Sequence, residues 1–193
     1  HARQRITQEA ARIMAEEGVQ DFHAAKRKAT VRLNLPEATH LPSNGEIQQA
    51  LADYLALFHG HELPGRRRTL LRVALEAMDF FQGFEPRLVG QLLAGTVTPY
   101  TEVQLQVTAD APEEIGFLLD QHHIPYDDGE KRLRYGDRTA NAPAFRFAAD
   151  NTPIEVIVLS HTDAREAPLS PIDGKPMRRA NRAEVERMLN ELS

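Results

Sequence analysis

Cysteine is absent from the 193 residues. This excludes a disulfide framework and a thiolate metal site. It agrees with a reducing compartment, and a soluble, cytoplasmic protein is the expectation. No apolar run approaches the roughly 20 residues needed to span a bilayer, so no membrane partner is expected. An apolar leader core is also missing, because His1 to Thr7 open directly onto an amphipathic pattern. The first residue is His rather than Met, from which a missing natural start or a tag remnant is expected. There is no low-complexity tract and no internal repeat. An excess of basic charge is lacking too: the formal net charge is −5, which argues against nucleic acid as a ligand except at a local basic patch. What is present is the composition of a folded chain. Hydrophobic residues make up 41% and charged residues 26%, enough apolar surface to offset chain ordering.

The N-terminal third carries helical periodicity. Ile6, Ala10, Ile13 and Met14 recur at helical spacing, and Gly18 is a natural stop. A second helix is expected over 21–33, with Asp21 as its cap, Phe22, Ala25 and Ala29 on one face, and Lys26, Arg27, Lys28 and Arg32 on the other. Two prolines make 34–44 a loop. Ser43 then stands three residues before Glu46, the capping-box spacing, ahead of an apolar stripe from Ile47 to Phe58. A linker over 59–65 and a helix over 66–82 follow, the latter with Leu70, Val73, Ala74, Ala77, Met78 and Phe81 inward. These readings place a helical region at 1–62 and an α/β domain at 63–193.

From about Arg87 the period changes to two. A short strand is expected at 87–89. A longer one at 102–109 sets Val103, Leu105 and Val107 against a solvent face of Glu102, Gln104 and Gln106. Pro112 opens a helix. Strands are expected at 132–135, 144–148 and 153–159, then a proline-containing loop over 163–179 and a last helix over 182–192. The fold class is therefore α+β: a small mixed sheet flanked by helices, preceded by a helical region.

The run Leu88-Val89-Gly90-Gln91-Leu92-Leu93-Ala94-Gly95-Thr96, followed by Thr101-Glu102-Val103-Gln104-Leu105, resembles the signature of the polymerase-beta-like nucleotidyltransferases, especially their minimal members. In that family a strand ends in Gly-Ser, a turn with a second Gly follows, and the next strand reads Ser-Asp-x-Asp. The resemblance implies that Gly90, Gln91, Gly95 and Thr101 lie at a nucleotide phosphate. It puts Glu102 and Gln104 at the two Asp positions and Glu155, in Ile154-Glu155-Val156, at the third carboxylate. Mg²⁺ is the implied cofactor, held by Glu102 and Glu155, and a nucleoside triphosphate is the implied partner. Nucleotidyl transfer uses two such ions roughly 3.5–4 Å apart, held by carboxylates on one face of a sheet.

The sequence departs from that pattern in its chemistry. Gln91 replaces the phosphate-contacting Ser, Glu102 and Glu155 are each one methylene longer than Asp, and Gln104 carries no charge. The expectation is a nucleotidyltransferase-like protein with impaired transfer, acting as a nucleotide-binding or interaction module. The alternatives are an active metal-dependent transferase on an unknown acceptor, or a helical nucleic-acid-binding regulator. The last rests on a resemblance of Ala10-Ala11 and Glu17-Gly18 to the first helices of a helix-turn-helix repressor, but Pro36 and Pro42 interrupt the chain before a recognition helix. A protein partner could meet the N-terminal helices. Lys175, Arg178 and Arg179, in the loop around the turn signal Asp173-Gly174, are candidate phosphate cations. Arg66-Arg67-Arg68 reads as a solvated helix start or a phosphate contact. The histidine pairs His59/His61 and His122/His123 lack zinc spacing.

Overall fold

The computed structural model describes residues 1–36 and 39–192; Glu37 and Ala38 of the expected 34–44 loop, and Ser193, lie outside the described residues. The fold is α+β. Among the described residues it contains eight α-helices and one five-stranded mixed sheet. The chain divides into two units. The first comprises 1–66, 96–101 and 171–173, and the second 67–95, 102–170 and 174–193. None of the described helices is long and apolar enough to cross a membrane.

The first unit is built on α1 (Ala2–Glu17), α2 (Phe22–Arg32) and α3 (Asn44–His59). Their apolar stripes close on one another: Ile6, Ala10, Ile13 and Met14 pack with Phe22, Ala25, Ala29, Ile47, Leu51 and Leu55. Burying each large aliphatic side chain contributes roughly 1.5–3 kcal/mol. The alanines let the helix backbones approach. Gly18 ends α1 in the left-handed conformation at φ 74°, which glycine adopts without penalty. Asp21 caps α2 by accepting from the Ala24 N–H. Ser43 and Glu46 form the reciprocal capping box expected for α3.

Helix α4 (Leu63–Phe80) begins three residues before the expected start, inside the stretch read as linker. The reason is positional. Pro64 lies in the first turn, where the missing N–H has no helical partner to lose.

The second unit holds the sheet. Its strands are β1 (Arg87–Val89), β2 (Val103–Thr108), β3 (Asp127–Arg134), β4 (Thr139–Ala149) and β5 (Thr152–Leu159), in the order β1-β2-β5-β4-β3. Only β2 and β5 run parallel. They are joined through α6 (Glu113–Gln121) and the β3–β4 hairpin. Short helices α5 (Gln91–Ala94) and α7 (His161–Ala164) follow β1 and β5, and α8 (Arg182–Glu191) closes the chain behind an Asn181–Glu184 capping box.

The expected solvent face of β2 is closed at Gln106. Gln106 is on the face opposite Val103, Leu105 and Val107, but it is not at solvent: it is 2% exposed, and its Nε2 reaches Met177 Sδ at 3.1 Å. The loop after α7 covers this part of the sheet. Ala180 and Leu88 exchange both backbone hydrogen bonds, at 2.8 and 3.0 Å, which pins the returning chain along β1.

Candidate functional site

Strand pairing gathers the site. In the parallel β2–β5 ladder Gln104 lies opposite Glu155, and in the antiparallel β5–β4 ladder Glu155 lies opposite Arg146. Residues directly opposed on neighbouring strands share a face. Lys131 of β3 has the same parity, because Asp127 pairs with Arg146 and Lys131 with Ala142. Four strands therefore present Gln104, Glu155, Arg146 and Lys131 on one surface, and Glu102 enters from the residue before β2.

Glu155 is the hub. It is 5% exposed, so its charge needs partners. Gln104 Nε2 donates to Glu155 Oε1 at 3.0 Å, Arg146 Nη1 donates to Oε2 at 3.3 Å, and Lys131 Nζ stands 3.6 Å from Oε1. Arg146 Nη2 also grips Glu102, at 2.6 Å to Oε1 and 2.5 Å to Oε2. One guanidinium thus bridges both glutamates. Arg146 keeps 53% of its side chain exposed, so the bridge is reachable from solvent.

Gly90 forms the floor beside this cluster. Its φ of 86° and ψ of −161° belong to a region that only glycine occupies readily. A Cβ there would collide with Gln104 Oε1. Gln91 then opens α5 half-buried, and Gly95 closes it in the left-handed conformation at φ 87° with its N–H on the Gln91 carbonyl at 2.9 Å.

The expected site residues thus separate. Gly90, Glu102, Gln104 and Glu155 come together. Thr101 belongs to the first unit, where its Oγ1 accepts from the Thr98 N–H at 2.8 Å and its carbonyl from Arg66 Nη2 at 3.3 Å. Arg179 donates to the Ala164 carbonyl at 3.1 Å. Lys175 accepts through its backbone carbonyl from the Ser170 N–H at 2.7 Å, and the Asp173-Gly174 turn forms with Gly174 at φ 71°. Arg178 is exposed. Sequence reasoning missed Arg146 and Lys131. For Arg146 there was a signal: a single cation inside Ala144-Phe145-Arg146-Phe147-Ala148. For Lys131 there was none, because six of the eight residues of 127–134 are charged.

The donor set does not fit a pair of Mg²⁺ ions. Glu102 and Glu155 supply two negative charges, and Arg146 and Lys131 in contact with them supply two positive ones. Gln104 turns its N–H toward Glu155, so its amide acts as a donor there rather than as a metal ligand. A divalent pair needs uncompensated hard oxygens, and here the carboxylates already hold cations.

The remaining candidates have local partners. Lys28 Nζ lies 2.8 Å from Glu17, and Arg32 binds Glu17 with both terminal nitrogens, so the basic face of α2 is partly neutralised within the unit. These cations hold the Glu17 carboxyl down at about 2. His59 Nε2 meets Glu16 at 2.7 Å and His122 packs edge-on against Phe80. Arg66 serves the carbonyls of Thr98 and Thr101, and Arg68 the carbonyl of Leu192. No protein-family description matches the chain, and neither a curated protein nor a solved structure matches it.

Proposed function

We propose that the chain is a nucleotidyltransferase-like protein whose transfer chemistry is impaired and which acts as a nucleotide-binding or interaction module. The observation that carries this reading is Arg146, which bridges Glu102 and Glu155 where the resemblance calls for metal. The strand-turn-strand order around Gly90, with Gln104 opposite Glu155 on parallel strands, supports the nucleotidyltransferase part of the reading. The neutral amide of Gln104 and the balanced charges support the loss of transfer. The interaction part is supported by apolar surface on the helical unit: Val31, Leu57 and Phe58 are 78%, 76% and 62% exposed.

Thermal denaturation with nucleoside triphosphates in EDTA, and again in Mg²⁺, tests this. A ligand that binds only the folded state adds about 2.7 kcal/mol at ~100 times its dissociation constant. Equal stabilisation in EDTA and Mg²⁺ is expected. No stabilisation by any nucleotide removes the nucleotide-binding reading, and stabilisation in Mg²⁺ alone favours an intact metal site.

A further inference from the structure

A groove of about 510 Å³ opens between α6 and the β3–β4 hairpin, wholly within the second unit. That is the size of a small-molecule site. Its floor is aromatic. Phe145 is 7% exposed, and its ring meets that of Tyr126 edge-on with 5.4 Å between centroids. Gly116 lets both rings lie under the helix: a Cβ there would sit 2.9 Å from Tyr126 Oη and 3.4 Å from Phe145 Cε1. Phe117 lines the groove as well and stays 65% exposed.

Both walls are acidic. Along α6, Glu113, Gly116, Phe117 and Asp120 follow the i, i+3, i+4, i+7 spacing of one helix face. On the hairpin, Asp128 pairs with Phe145 and Glu130 with Pro143, so these carboxylates share the face of the groove floor. Arg146 follows Phe145 along β4, so it and its partner Glu155 lie on the other face of the sheet. Among the described residues no lysine, arginine or histidine lines the groove. Elsewhere in this unit carboxylates meet cations, as Asp79 does Arg182 and Asp163 does Arg138. Burial first, and then Asp120 and Asp128, push the Tyr126 phenol above its ordinary value, in keeping with uncompensated negative charge over the floor.

Charge and length together select the occupant. Carboxylates on two walls around aromatic rings complement several cations joined by an apolar chain. Glu113 and Asp120 stand two helical turns apart, about 10 Å along the axis. An extended peptide places only about three residues in that length. A linear triamine spans it with an ammonium at each end, and its cations also gain from the faces of aromatic rings.

We propose that this groove binds a linear aliphatic polyamine, its ammonium groups on Glu113, Asp120, Asp128 and Glu130 and its methylene chain over Phe117, Tyr126 and Phe145. The site shares no residue with the Glu155 cluster and does not rest on the nucleotide reading.

The test is calorimetric titration of the full chain, free of nucleotide, with spermidine, with hexylamine and with the blocked tripeptide Lys-Leu-Lys. Spermidine is expected to bind at one per chain, and hexylamine, with a single charge, about tenfold more weakly or worse. Asp128→Asn combined with Glu130→Gln should weaken spermidine by about tenfold or more, as loss of charge-assisted contacts does. Phe117→Ala should weaken it by about threefold, the size of an exposed cation–π contact. All three side chains are exposed, and an unchanged far-ultraviolet spectrum checks that each variant folds. If Phe117→Ala does not fold, the carboxylate pair decides. Spermidine affinity unchanged in the carboxylate variant overturns the proposal. So does displacement of spermidine by Mg²⁺ to the extent that charge screening alone explains, since that marks a diffuse counterion effect. Tighter binding of the tripeptide than of spermidine overturns the polyamine assignment in favour of a basic peptide.

Discussion

At the scale of single residues, the site depends on what Gly90 lacks. Gln104 occupies the space that a side chain at 90 would take, and from there it donates to Glu155. Gly90→Ala must both hold a non-glycine residue at φ 86° and expel the Gln104 amide. A cost of about 1–3 kcal/mol is expected from the backbone conformation alone, measured by urea denaturation. Loss of less than ~0.5 kcal/mol would show that the turn relaxes and that Gln104 is not fixed by it. The glycine was legible in the sequence as a turn residue. Its close approach to Gln104 was not, because the collision partner is brought in by the β1–β2 ladder, where Val89 pairs with Gln104.

At the scale of elements, legibility follows the periodicity. Helices α1 to α4 write a clear 3.6-residue stripe, and α3 and α8 open on reciprocal capping boxes. Ser43→Ala removes the side chain that accepts from the Glu46 N–H at 3.1 Å and is expected to destabilise the protein by about 0.5–2 kcal/mol, read from chemical denaturation followed at 222 nm. An unchanged midpoint would mean that the cap is redundant. Strand β3 is the opposite case. The strand expected at 132–135 meets only its last three residues; before them Asp127, Asp128, Glu130 and Lys131 leave no alternation to read, and pairing with β4 along the hairpin supplies the order. Charged side chains suit a strand at the sheet edge, where they discourage further pairing. Arg146 stands out in the sequence as a single cation in an apolar run, but its partners do not. Its role depends on the register of β4 against β5, which no local pattern specifies.

At the scale of the whole molecule, the acid response is built into the helical unit. The Glu17 carboxyl is held down at about 2, first by Arg32 and then by Lys28, and Glu9, Glu16 and Glu46 are lowered by Arg12, by His59 and Tyr54, and by Arg3 respectively. A carboxyl with a depressed value in the folded state favours folding above its ordinary pKa, and the benefit disappears as pH falls through the depressed value. Stability is therefore expected to decline between about pH 4.5 and about 2. The decline should be shallower in high salt, because these pairs are near solvent and screened. Helical signal under mild denaturant, followed as a function of pH, checks this; a flat profile across that window would contradict it.

Arg146, Lys131 and the neutral Gln104 hold Glu102 and Glu155, the carboxylates that the proposed resemblance would give to metal. The most direct measurement is incorporation of labelled nucleotide from each nucleoside triphosphate, in Mg²⁺ and in Mn²⁺, into the protein itself and into added protein and RNA acceptors. No incorporation above the protein-free background is expected. Robust incorporation by the unmodified chain, abolished by Glu155→Ala, would contradict it.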